Sequence, residues 1–181
     1  MGTLTATPDD VTRTAFRRCV GMFATGVCIV TTEHDGHAAG MTLNSFASVS
    51  LDPLLVLVSL AHESRTLAAV RQSKRFAVNF LRRDQRAIAA EFATHGGAFP
   101  MHRVHRANGY LTVPGALGWV TCELAEIVRA GDHDVVFGRV VEFTSNAGDP
   151  LVFHAGKFGG GIVVDEDTSI SLPLFDEEVG W

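Results

Sequence analysis

Two alternating runs, residues 117–130 and 135–143, are separated by little more than Gly131-Asp132-His133. In the first run Val120, Cys122 and Leu124 fall on one face, and Thr121, Glu123 and Ala125 on the other. That is the period of a strand with one covered side. Parallel neighbours need a crossover of about a dozen residues or more, so a break this short predicts an antiparallel hairpin. Any fold for this chain must accommodate that ladder.

The other segments extend the pattern. Residues 27–32 are β-branched and apolar, His34-Asp35-Gly36 is a hairpin turn, and 38–43 return. Leu51-Asp52-Pro53 turns the chain again. The unbroken apolar run 54–60 predicts a central strand buried on both faces. Residues 76–81 and 151–154 predict two more strands.

Helices are few. Thr7, Pro8 and Asp10 make a helix start. Val11, Ala15, Cys19 and Phe23 then recur every four residues, predicting a core-packing stripe with Arg13, Arg17 and Arg18 off it. Ser64 caps a second helix, with Leu67, Ala68 and Val70 towards the core. Asp84 caps a third, reaching about Phe92. The expected fold class is mainly β with inserted helices, an antiparallel barrel closed or nearly closed. Residues 94–109 have no clear period and suit a lid or binding loop.

The chain has 181 residues and divides into a domain over 1–164 and an acidic tail over 165–181. The tail holds Asp165, Glu166, Asp167, Asp176, Glu177 and Glu178 and no basic residue. Without those six acids, 14 acidic residues face 15 basic ones, so the body offers no basic face for nucleic acid. Three cysteines, with no C-x-x-C pair, argue against a disulfide framework and for a reducing cytoplasm. No apolar run approaches the ~20 residues of a membrane span, and the first ten residues do not read as a secretory signal. G-x-G-x-x-G, G-x-x-x-x-G-K-[ST] and G-x-S-x-G are all absent, so neither a dinucleotide fold of that type, a P-loop nor a serine nucleophile is indicated.

The chemistry-bearing residues gather in a few places. Residues 40–50 hold Thr42, Asn44, Ser45, Ser48 and Ser50 among Met41, Leu43, Phe46 and Val49, with no charge. They read as a strand running into a loop. Those polar groups either satisfy local backbone or face a ligand that wants hydrogen bonds, such as a flavin. Residues 59–66 run from a strand end into a helix start, where Ser64, Arg65 and Thr66 can meet an anion; the alternative is ordinary capping by Ser64. Asn79 places one amide in an apolar strand and needs a partner. His133 sits at the hairpin corner, where an imidazole can meet a polar ligand edge. His95, His102 and His105 are a weak metal reading, because no carboxylate accompanies them at ligand spacing.

In order and spacing, several stretches together resemble the flavin reductase-like, FMN-binding split-barrel family. They are Phe23-Ala24-Thr25-Gly26-Val27, the 40–56 stretch, Ser64 with Thr66, Phe76-Ala77-Val78-Asn79-Phe80-Leu81 and Gly131-Asp132-His133. The narrower likeness is to the short-chain reductase components of two-component flavin monooxygenases. The resemblance implies a six-stranded antiparallel split barrel, working as a homodimer with flavin near the subunit interface. It implies hydride transfer from NADH, or NADPH, to FMN or FAD, and a separate monooxygenase that receives the reduced flavin. It places Thr42, Leu43, Asn44 and Ser45 along the flavin ring, with Ser48 and Val49 close by. Ser59, Leu60 and Ala61 line the next segment, Ser64, Arg65 and Thr66 reach the phosphate end, Asn79 adds a polar contact, and His133 meets the nicotinamide nucleotide. A non-catalytic flavin-binding module and an oxidase of the pyridoxamine-phosphate type remain alternatives. This chain departs from the pattern at Ser59, often Cys in the family, and at 154–158.

Overall fold

The computed structural model describes residues 9–94 and 97–160. Thr7, Pro8, His95 and the acidic tail lie outside the described residues. In chain order the elements are α1 (Asp10–Val20), β1 (Thr25–Gly26), β2 (Cys28–His34), β3 (His37–Leu43), β4 (Ala47–Leu51), β5 (Leu54–Ala61), α2 (Arg65–Ser73) and β6 (Arg75–Phe80). Then come α3 (Arg86–Ala93), β7 (His105–Ala107), β8 (Tyr110–Thr112), β9 (Gly118–Ala130), β10 (His133–Ser145), β11 (Val152–His154) and β12 (Lys157–Gly159).

The main sheet runs β3-β2-β6-β9-β10-β5-β4, antiparallel at every step. Its edges, β3 and β4, are not paired with each other, and Asn44-Ser45-Phe46 joins them. The barrel is therefore split, as expected. It has one strand more than the six expected, because 47–51 add to β5 instead of forming a loop. The β9–β10 ladder extends from the His133↔Ala130 pair to Ser145↔Gly118, the hairpin that the alternation predicts. Smaller sheets are β1-β11-β12 and β7-β8.

Register explains how one wall is buried on both faces. Directly opposed residues of an antiparallel pair share a face. Val30 thus lies with Met41 and Val78, and Ile29 with Thr42 and Asn79. The first row joins a core with Val56, Val58, Leu60, Phe76, Cys122 and Val136, closed by Leu67 and Val70 of α2. The second row's Ile29 joins a core with Val27, Leu81, Ala89, Phe92, Val113, Ala116 and Leu151 under α3. Burying a Val or Leu side chain stabilises by about 1.5–3 kcal/mol, so both cores fix this wall.

Three expectations are corrected. The strand at 54–60 is next to an edge, and only Val56, Val58 and Leu60 are buried. The reason is that, among the described residues, no layer covers its outer face; the doubly buried wall is β2 and β6. The helix α1 buries none of its residues. Asp9 caps it, accepting from Thr12 N–H at 2.7 Å, while Val11, Phe16 and Val20 are exposed. The third helix starts at Arg86, not beside Asp84. Gln85 Oε1 accepts from Arg82 N–H at 3.0 Å, and the chain first makes a 3-10 turn over Arg83–Gln85. Within 94–109, Phe99 is edge-on to Phe92 of α3 at 5.3 Å, Arg103 pairs with Glu91, and His105–Ala107 form β7.

Candidate functional site

The bend after β3 is held by one hydroxyl. Ser45 Oγ accepts from Ser59 N–H at 3.1 Å and donates to Ser59 O at 3.0 Å. Both ladder groups of Ser59 are thereby satisfied where no strand pairs with them. Beyond the bend, Ser48 pairs with Val56 and Ser50 with Leu55, so Val49 is the extra residue of a β-bulge. Asn44 and Ser48 are exposed. Asn44 Nδ2 donates to Thr25 Oγ1 at 3.0 Å. That bond ties the bend to the segment before β2.

β5 carries the site onward. Leu60 turns into the first core and is fully buried, while Ser59 and Ala61 face the other way and are half-buried. Ala61 is directly opposed to His133. After it, Ser64 caps α2, its Oγ accepting from Leu67 N–H at 3.0 Å. The N–H groups of Arg65 and Thr66 precede that bond and have no partner within the helix. Arg65 Nη2 donates to Gly97 O at 2.8 Å. The Thr66 side chain is buried.

His133 Nδ1 lies 2.7 Å from Asp132 Oδ1. That hydrogen bond holds the Asp132 carboxyl below the usual carboxylate range. The ionised Asp132 accepts from Nδ1, which leaves Nε2 as the ring's other polar atom.

Two residues of the expected set have their polar groups engaged elsewhere. Thr42 and Asn79 share a row on the α3 side of the wall. Thr42 Oγ1 donates to Ala89 O at 2.7 Å. Asn79 donates to Ile29 O and Thr31 Oγ1 at 3.0 and 3.2 Å and accepts from Val113 N–H at 2.9 Å. The amide of Asn79 is fully buried and braces the second core. Leu43 packs against the first core.

A cavity of about 320 Å³ opens beside the bend, lined by Phe23, Thr25, Asn44, Phe46, Phe80, Leu117 and Pro150 among others. It is mostly apolar with a few polar groups, which is the make-up of a site for a flat heteroaromatic ring. Its signal in the sequence is the Phe23-Ala24-Thr25-Gly26 break that follows α1. A second cavity, about 430 Å³, is lined by His62, Glu63, Arg71, Ile127, Arg129 and Asp134. Asp134 is a carboxylate within a Val-rich run, and its side chain is 1% exposed.

The donor set fits a flavin. The bend offers neutral hydrogen-bonding groups beside an apolar cavity, and α2 offers a free helix start for a phosphate. Among the described residues no helix is long and apolar enough to cross a membrane.

Fold and site together define a split-barrel protein of the flavin-binding type. The flavin reductase like domain matches residues 20–161. The FMN reductase (NADH) SmoA of Agrobacterium fabrum is 39% identical over 153 residues, 84% of this chain and 88% of that protein. The reductase component of the 4-nitrophenol 4-monooxygenase/4-nitrocatechol 2-monooxygenase of Rhodococcus opacus is 37% identical over 145 residues, 80% of this chain and 78% of that one. Among solved structures, the Streptomyces globisporus C-1027 NADH:FAD oxidoreductase SgcE6, in complex with NAD and FAD fragments, superposes with a TM-score of 0.81. It is 30% identical, covering 90% of this chain and 100% of that one. The chain belongs to the flavin reductase-like family.

Proposed function

We propose that this chain is an NADH-dependent flavin reductase that supplies reduced FMN or FAD to a separate flavin-dependent monooxygenase. The carrying observation is the pairing of His133 with Ala61. It sets the imidazole beside the strand end that leads from the Ser45-clamped bend to the start of α2. A neutral ring site, an anion site and a nucleotide contact thus lie along one continuous stretch of structure. When bound together, the dihydronicotinamide gives a hydride to the flavin, and the chemistry belongs to those two molecules.

The protein's part is to bind and orient. Asn44, Ser45, Ser48 and Val49 flank the ring, with Ser59 and Ala61 beyond. The first-turn N–H groups of α2 and Arg65 take the phosphate. His133 holds the nucleotide. No side chain has to act as acid, base or nucleophile.

The working unit in this reading is a homodimer in the cytoplasm. Exposed Val11, Phe16, Val20, Met22 and Phe23 support it, because so many large apolar side chains in one segment mark an interaction surface. The test is a steady-state assay with NADH and NADPH against FMN and FAD. NADH oxidation that depends on added flavin is expected, with reduced flavin handed on when an oxygenase component is present. Absence of turnover with all four pairs overturns the reading.

A further inference from the structure

We infer that His62 is a positioning residue that works as the imidazolium, clamping the Gly131-Asp132-His133 turn onto the buried carboxylate of Asp134. Both of its ring nitrogens face acceptors. Nδ1 is 3.0 Å from Asp134 Oδ1, and Nε2 is 3.1 Å from Gly131 O. The His62 backbone N–H also donates to Asp132 O at 3.2 Å. A carbonyl carries no proton. Asp134 enters as the carboxylate of an ion pair, its other oxygen accepting from the Arg71 guanidinium. Each contact therefore needs a proton from the ring, and a neutral imidazole has only one.

Loss of that second proton sets a lone pair against an acceptor at one end of the clamp. The buried carboxylate with its arginine is the more costly partner to abandon. The bond to Gly131 O is then the one released, and the turn that carries His133 loosens. The charged groups around the ring come from every neighbouring element. They are Asp134 on β10, Asp132 in the turn, Glu63 after β5, Arg71 on α2, Arg129 on β9 and the adjacent His133. The nucleotide should therefore bind best in acid and less well as the ring deprotonates, while the flavin end, held by Ser45 and α2, is indifferent. This consequence rests on His133 being the nucleotide contact.

The test compares His62→Gln with His133→Ala in the full chain, from about pH 6 to about pH 8.5, the interval in which imidazoles titrate. The wild type should show a rising KM for NADH across it. His62→Gln should raise that KM about fivefold at the acid end, the order expected for one lost hydrogen bond, and flatten the pH profile. The KM for flavin should stay within about twofold. Independently, nitrogen NMR of the folded protein should find both His62 ring nitrogens protonated at the acid end, with the Gly131 and Asp132 amides shifting as the ring titrates. A wild-type pH profile in His62→Gln, or a neutral His62 at the acid end, overturns the proposal. If His133→Ala leaves the KM for NADH unchanged, the nucleotide reading fails instead, and the NMR arm still decides whether His62 is the clamp.

Discussion

Ser45 and Ser59 are joined by two hydrogen bonds through a single oxygen, one accepted at 3.1 Å and one donated at 3.0 Å. The hydroxyl stands in for a missing strand. Ser45→Ala leaves a half-buried N–H and C=O at the end of β5 without that partner, a loss of about 1–3 kcal/mol. In the proposed site the same bend borders the flavin ring. The variant should therefore unfold at lower urea and bind flavin several-fold more weakly, with the KM for NADH little changed. Denaturant titration and flavin titration check the two halves. Unchanged flavin affinity in a destabilised protein would confine Ser45 to a structural role.

Gly138 lies against Phe76 and Cys122 across the first core. A Cβ at 138 would stand 2.5 Å from Phe76 Cζ and 2.7 Å from Cys122 Cβ. Phe76 is fully buried, so it cannot swing into solvent. Gly138→Ala should destabilise by about 1–3 kcal/mol through overpacking. Phe76→Leu, destabilising by itself, should recover part of that loss when combined with it, a coupling that a double-mutant cycle measures. Strict additivity would mean that the ring is not what the new methyl meets.

The contrast between β9–β10 and β5 shows what the sequence could reveal. The hairpin was legible because its alternation and its three-residue break are both local. The apolar run at 54–60 suggested burial on both faces, but whether a second layer covers a strand is decided by distant segments. α1 shows the same limit. Its four-residue apolar stripe suggests core packing, yet periodicity does not say whether the partner surface belongs to the same chain. Around the candidate site, Ser45 at a bend, Ser64 at a cap and His133 at a turn are legible as polar groups, whereas Ala61 enters only through the resemblance. Which partners the polar groups of Thr42 and Asn79 take is not legible, because the register that turns them towards α3 is a tertiary fact. His62, Arg71 and Asp134 come together from β5, α2 and β10, and no spacing along the chain announces that cluster.

The thiols offer a check on the core. Burial pushes the Cys28 and Cys122 thiols up to about 12, so at pH 8 only about one part in 10⁴ of each is thiolate. Cys19 is exposed on α1. Iodoacetamide applied to the native protein at about pH 8 should modify Cys19 and spare the other two, since the thiolate is the reactive form. All three should react after denaturation. Mass spectrometry of the digest reads the outcome directly. Rapid native labelling of Cys122 would show that the β6–β9 wall opens far more readily than this packing allows.

The start of α2 can be probed by removing the phosphate from the ligand as well as the arginine from the protein. Arg65 is exposed and its guanidinium reaches Gly97 O, so Arg65→Ala should change stability by no more than about 0.5 kcal/mol. A charge-assisted contact to a phosphate is worth about 1.5–3 kcal/mol, or roughly 10- to 100-fold in affinity. FMN should therefore bind Arg65→Ala that much more weakly than the wild type, and riboflavin, which lacks the phosphate, equally to both. Ser64→Ala is the complementary variant. It removes the cap that orders the first turn, at about 0.5–2 kcal/mol of stability, and should also weaken FMN more than riboflavin. Fluorescence quenching titrations of both flavins against both variants give the comparison. Equal losses for FMN and riboflavin would move the phosphate away from α2 and leave Ser64 as a helix cap alone.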